Sequence, residues 1–74
     1  VKTRLDPSAP SIAPPVMARF MMVMLPAMNI DERVDMLGGM SMAPPPVWDI
    51  FRGAAQAALT PAQYAVVAQR IGLN

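Results

Sequence analysis

Apolar residues recur at every third or fourth position in four segments of this chain. This spacing is typical of helices that bury one side. The segments run from residue 14 to about residue 25, and over 29–40, 45–59 and 61–71. Residues 1–12 are polar, contain two prolines and show no such period, which predicts a flexible arm or linker. The pattern therefore predicts an all-α domain over residues 13–74.

Proline and capping residues mark the ends of these helices. Pro14 and Pro45 suit the first turn of a helix, where an N–H is not needed. Pro26 should end the first helix near Leu25, because it has no N–H to donate to the carbonyl of Met22.

Two capping boxes are predicted, at the starts of the second and fourth helices. Asn29 is followed three residues later by Glu32, and Thr60 by Gln63. Gly72 is a natural left-handed cap for the end of the last helix.

The sequence repeats itself with an offset of 31 residues: PPVMARF, which begins at Pro14, returns as PPVWDIF from Pro45. The same offset aligns Phe20 with Phe51 and places one capping box on the other. We therefore expect two similar helical hairpins, residues 14–42 and 45–72, packed as a small four-helix bundle because neither hairpin covers its apolar face alone.

Helical spacing also predicts which side chains form the core. Gly53, among four alanines, is expected to let another helix approach closely. The predicted core residues are Val16, Phe20, Val23 and Ala27 in the first helix, Ile30, Val34, Leu37 and Met40 in the second, Val47, Ile50, Phe51, Ala54, Ala58 and Leu59 in the third, and Tyr64, Val67, Ala68 and Ile71 in the fourth.

This core leaves a second apolar stripe on the first helix, made of methionines. Methionine fills small cores, forms adaptable contact surfaces and, more rarely, binds metals, so three interpretations are open. A helix that is apolar all round is usually buried all round, which favours a partner. Trp48 is either a half-buried rim residue or an interface anchor. The predicted interface residues are Met17, Met21, Met24, Met28, Met36, Met40 and Trp48.

Composition supports a partner and argues against catalysis. Of the 74 residues 54% are hydrophobic and 15% charged, and a chain of this size buries only about 60% of its unfolded surface. It has no histidine and no cysteine, so the usual general base and the commonest metal ligands are missing. Six basic and five acidic residues are scattered without a basic stripe, which argues against nucleic-acid binding. We expect no enzymatic activity and no cofactor.

Two further features have simple interpretations. Asp31, Glu32 and Asp35 resemble a metal-binding carboxylate cluster, but a solvated helix start explains them better. The apolar segment 12–28 is interrupted by three prolines and an arginine, is too short for a membrane span and lacks the features of a signal peptide. The expected location is the cytoplasm.

The segment MLPAMNIDERVDMLGGM, residues 24–40, followed by APPPVWDIF, resembles the C-terminal region of bacterial hemerythrin-like (HHE-type) proteins. In these, a similar phrase follows the metal-binding bundle, and the resemblance covers roughly residues 13–72. Their di-iron site uses histidines and carboxylates; without histidine, no ligand carries over to this chain. The resemblance implies an accessory helical module beside such a domain.

The expected function is a non-catalytic helical module for assembly, which dimerises or docks through its methionine-rich face. Its partner would be a second copy or a preceding hemerythrin-like domain. The alternative is the C-terminal accessory part of a di-iron oxygen-binding or oxygen-sensing protein whose metal site lies outside this chain. A surface-active amphipathic peptide is disfavoured, because the first helix carries too little basic charge.

Overall fold

A computed structural model describes residues 13–73 of the chain. These residues form an all-α fold, which confirms the predicted class, and the four helices pack as a small bundle. The predicted arm at residues 1–12 lies outside the described residues. The helices are α1 (Pro14–Met24), α2 (Ile30–Met40), α3 (Pro45–Ala58) and α4 (Pro61–Ile71), with a 3₁₀ turn (Leu25–Ala27) after α1.

Both predicted capping boxes are present. The Asn29 side-chain oxygen accepts a hydrogen bond from the Glu32 backbone N–H at 2.8 Å, and the Glu32 carboxylate accepts one from the Asn29 N–H at 2.9 Å. The reciprocal bonds of Thr60 and Gln63 measure 3.1 and 3.0 Å. Gly72 ends α4 with φ of +79°, as its expected role as a left-handed cap requires.

Helix α1 ends as Pro26 dictates. The α-helical part stops at Met24, and the chain continues as the 3₁₀ turn before it extends at Met28. The Leu25 N–H still donates to the carbonyl of Met21, but Pro26 has no N–H for the carbonyl of Met22. The helix therefore closes within one residue of the expected position.

The most extensive packing joins helices that are equivalent in the sequence repeat. Helix α1 packs mainly on α3, and α2 packs mainly on α4. Smaller contacts connect α3 with α2, with α4 and with the 3₁₀ turn. The two halves of the repeat therefore hold each other, and each half supplies the surface that the other needs.

The core draws on all four helices. Leu37, Phe51, Leu59 and Val67 are buried as predicted, and so are Ala54 and Ala68, whereas the sequence did not predict the burial of Met21, Leu25 and Ala55. The complete buried hydrophobic set is Met21, Leu25, Leu37, Phe51, Ala54, Ala55, Leu59, Val67 and Ala68. The predicted core residues Ile30, Val34, Met40, Val47, Ala58, Tyr64 and Ile71 are partly buried and pack against it.

The core prediction is wrong on α1, at Ala27 in the 3₁₀ turn and at one position of α3. Val16, Phe20 and Val23 are 58%, 52% and 73% exposed, and Ala27 is also exposed. The reason is that α1 turns its methionine side toward α3, which leaves the predicted core side outside. Ile50 is 40% exposed.

Gly53 does not mark a close helix contact, contrary to expectation. A Cβ atom placed there would meet no heavy atom within 4 Å, because the residue faces outward on α3. Its neighbours Ala54 and Ala55 point into the core instead, where their small side chains admit α1.

Candidate interaction surface

Helix α1 presents apolar side chains in two stripes that are offset by one residue. At about 100° per residue, residues at i, i+4, i+7 and i+11 form one stripe along a helix. Met17 and Met21 belong to the stripe that faces α3, whereas Phe20 and Val23 belong to a second, exposed stripe about 100° around the helix from the first. The two stripes therefore have different roles, although both have the same spacing.

The inner stripe belongs to the core. Met21 has no exposed surface, and Met17 and Met28 pack partly buried against the same cluster. Unbranched methionine side chains adapt to irregular gaps between helices. The expectation that Met21 lies on an exposed contact surface is wrong, because its side chain is enclosed by the bundle.

The other predicted interface residues are spread over the bundle. Met24 is 37% exposed at the edge of α1. Met36, Met40 and Trp48 are partly buried and pack against the core, so Trp48 lies in the rim environment that was one of its two interpretations. The seven residues do not form one exposed surface in the folded chain, and nothing in the fold tests their contact with a partner.

The exposed apolar surface of α1, which we call the outer stripe, consists of Val16, Phe20 and Val23. Steps of four and three residues separate them, the spacing of a seam between two packed helices. Arg19 is exposed on the same helix, and it is the only charged residue between Pro14 and Met24. The outer stripe is thus an uncharged ridge of the shape that another helix covers.

Sequence reasoning missed the role of Arg33, the buried charged residue of α2. Its side chain is only 9% exposed; its Nε donates to the Leu25 carbonyl at 2.9 Å and its Nη2 to the Pro26 carbonyl at 3.3 Å. Carbonyls at a helix end lack donors within the helix. The Met28 N–H reaches the Leu25 carbonyl at 3.2 Å, and Arg33 adds a second donor there and a donor to the Pro26 carbonyl. The signal was an arginine shortly after a Leu-Pro step that ends an apolar helix.

The acidic residues at the start of α2 serve the helix and an ion pair. Glu32 is half of the capping box, and Asp31 lies 3.6 Å from the guanidinium of exposed Arg70. Together with Asp35 they line an open cleft of about 440 Å³. Within residues 13–73, no three His, Cys, Asp or Glu side chains come together as a metal site.

No helix in the described part of the chain combines the length and apolar character that a membrane crossing needs. Comparison of the chain with protein-family models, with curated proteins and with solved structures finds no match to any of them. The functional argument therefore rests on the surface of the bundle.

Proposed function

We propose that this chain is a non-catalytic helical interaction module, which dimerises or docks through the outer stripe of α1. The observation that carries the proposal is the exposure of Phe20 and Val23, 52% and 73%, next to each other on α1, with exposed Arg19 at the edge of this surface. Contiguous apolar surface of this kind marks interaction sites in soluble proteins. The proposed place of action is the cytoplasm.

The energetics favour a contact that forms without unfolding. Complete burial of a valine or phenylalanine side chain stabilises by about 1.5–3 kcal/mol. Because the outer stripe takes no part in the core, Val16, Phe20 and Val23 are free to contribute that energy to association. The loss of translational and rotational freedom and the ordering of side chains on association oppose this energy. The net affinity therefore depends on how well the partner fits.

Met24 extends the proposed surface. It is exposed on the edge of α1 that adjoins Phe20, four residues away along the helix. Met24 is therefore an exposed member of the predicted interface set that lies beside the outer stripe. Met21 is instead fully buried and packs in the hydrophobic core.

Photo-crosslinking in the cells that produce the protein tests this function. A photoreactive amino acid at Val23 should yield a discrete covalent product of higher mass. The matched control is Val66, which is 47% exposed on α4 and outside the outer stripe. Equal labelling at both positions, or no product at Val23, would contradict the proposal.

A second candidate is an accessory module beside a hemerythrin-like domain, favoured by the order of Leu25-Pro26, Glu32-Arg33 and Leu37-Gly38-Gly39. The fold brings the first two of these elements into contact through Arg33. A histidine-rich helical domain encoded upstream in the same reading frame would support this candidate, whereas an in-frame stop codon there would oppose it.

A further inference from the structure

We infer that two copies of this chain can exchange hairpins, so that the first hairpin of each copy packs on the second hairpin of the other. The first hairpin comprises α1, the 3₁₀ turn and α2, and the second comprises α3 and α4. Residues 41–44, which we call the hinge, join the two hairpins. The inference goes beyond the proposed function, because it concerns the surfaces between the hairpins and not the outer stripe.

The packing of the described residues lies mainly between the hairpins and not within them. Helix α1 packs on α3 and α2 packs on α4, whereas α1 and α2 are not among the extensively packed pairs and α3 makes smaller contacts with α4. The contact between the hairpins, which we call the seam, contains Met21 and Leu37 from the first and Phe51 and Val67 from the second. The second hairpin of another copy offers the first hairpin the same complementary surface.

The hydrogen bonds that shape the first hairpin stay within it during exchange. Arg33 donates to the carbonyls of Leu25 and Pro26, and all three residues move together. The contact of Asp31 with Arg70 at 3.6 Å crosses the seam, and it forms between the copies after exchange. The exchanged dimer therefore keeps the contacts of both hairpins and of the seam.

The hinge is the segment whose conformation must change. In the closed chain the Met42 N–H donates to the Gly39 carbonyl at 3.2 Å, and the Ala43 N–H donates to the Met40 carbonyl at 3.0 Å. Exchange opens this turn, and Met42 is already 85% exposed. Water can therefore replace the two bonds, and the loss of stability is small.

Prolines in and after the hinge favour its extended form. Ala43 precedes Pro44 and Pro44 precedes Pro45, and a residue before proline is displaced from helical to extended conformation. Pro44 already has ψ of +144°. Four extended residues span about 13–14 Å, more than the roughly 8–10 Å between the axes of packed helices. The open hinge is therefore long enough to cross from one copy to the other.

Exchange requires the seam to open first. Because most of the core lies between the hairpins, opening exposes it, and a folded monomer should exchange slowly. Mass action favours the dimer as concentration rises. We therefore expect monomers after refolding at low concentration and exchanged dimers after refolding at high concentration.

Disulfide formation between copies tests the exchange, and the chain has no natural cysteine to interfere. A Cβ atom at Gly38 would lie 3.5 Å from the Ile71 Cγ2 atom, across the seam between α2 and α4. This spacing suits a disulfide, whose Cβ atoms lie about 3.5–4.5 Å apart. Gly38→Cys and Ile71→Cys are placed in separate copies, which are unfolded, refolded together at high concentration and oxidised.

Only exchange brings these two cysteines together, because an unexchanged copy holds one of them. The mixed disulfide should exceed that of a control mixture by about tenfold or more, since cysteines held in contact have a high effective concentration. The control mixture pairs Gly38→Cys with Gly53→Cys, whose site on α3 has no neighbouring atom within 4 Å. Equal yields from the two mixtures would overturn the inference.

The length of the hinge provides a second test. Deletion of Met42 and Ala43 removes the turn that closes the chain, so the mass in sedimentation equilibrium should double with the helical circular dichroism retained. A flexible Gly-Ser insertion after Met42 should keep the protein monomeric, because a longer hinge lets both hairpins of one copy pack together. A folded monomer from the deletion variant would contradict the inference. If that variant does not fold, the disulfide yields decide.

The inference and the proposed function fail separately. Val23 is 73% exposed and lies outside the seam, so Val23→Glu should leave the yield of the mixed disulfide unchanged. A loss of the mixed disulfide in this variant would show that the outer stripe joins the copies, which contradicts exchange through the seam. Absence of exchange leaves the crosslinking result at Val23 unaffected.

Discussion

The guanidinium of Arg33 donates a hydrogen bond of 2.9 Å to the backbone carbonyl of Leu25, eight residues earlier in the chain. This contact joins α2 to the turn that ends α1, and a second bond to the Pro26 carbonyl adds to it. Because α1 and α2 are not among the helix pairs with extensive packing, the arginine is a principal connection between them. Arg33 therefore ties α2 to the turn after α1, while the packing on α3 holds α1 itself.

Replacing Arg33 by methionine should lower the free energy of unfolding by about 1–3 kcal/mol. The apolar stem is retained, but the Pro26 carbonyl loses the Arg33 donor and the Leu25 carbonyl keeps only the Met28 N–H at 3.2 Å, and a buried polar group left without a partner costs about 1–3 kcal/mol. Urea denaturation followed by circular dichroism measures the change.

Arg52→Met is the matched control. Its guanidinium contacts Asp49 at 3.1 Å on the surface, where an ion pair contributes at most about 1 kcal/mol. Equal losses for the two arginines would show that the hydrogen bonds of Arg33 contribute nothing beyond those of a surface charge.

Met21→Ala should destabilise the bundle by about 2–5 kcal/mol, because it leaves a cavity where a fully buried side chain stood. Met24→Ala should cost clearly less, since Met24 is 37% exposed. If Met21→Ala does not fold, Met21→Leu, expected within about 1.5 kcal/mol of the natural chain, provides the comparison. A smaller loss at Met21 than at Met24 would contradict the orientation of α1.

The aligned phenylalanines should respond differently to truncation. Phe51 is only 9% exposed, so Phe51→Ala should cost about 3–5 kcal/mol. Phe20 is 52% exposed, and Phe20→Ala should change the stability of the isolated fold by about 1 kcal/mol or less. Thermal unfolding at low concentration, where association is absent, separates these effects. Similar melting temperatures for the two variants would be inconsistent with the structure.

Alanine substitutions at two glycines should have opposite signs. Gly53→Ala should stabilise the protein by about 0.4–1 kcal/mol, because the added methyl group meets nothing within 4 Å and alanine favours a helix. Gly72→Ala should destabilise it by about 1–2 kcal/mol, because Gly72 has φ of +79°. Chemical denaturation of both variants measures the two changes in the free energy of unfolding. A change of the same sign in both variants would contradict the prediction.

The ends of the helices were predictable because their causes are local. A cap such as Asn29 or Thr60 binds an N–H three residues away, so the necessary groups are always neighbours in the chain. Pro26 likewise acts on the helix that contains it. Positions of caps and breakers along the sequence were therefore enough to predict four helices and their bounds.

The role of Arg33 was less accessible from the residue order. A long charged side chain on an amphipathic helix is usually exposed. The burial of Arg33 depends on the path that the chain takes after Pro26. That path places the Leu25 carbonyl within 2.9 Å of the guanidinium. Only the arrangement of two elements in space creates the contact.

The choice of the inner side of α1 was decided by tertiary structure alone. Its two apolar stripes have identical spacing, so periodicity predicts a helix but does not distinguish Phe20 outside from Met21 inside. The repeat misleads here, because it aligns exposed Phe20 with buried Phe51. Burial depends on the fit between two surfaces, and the small residues of α3 accept the methionine side of α1. Helix boundaries are set by residues within one segment of the chain. Which residues form the core and which stay exposed is set by how two helices pack together.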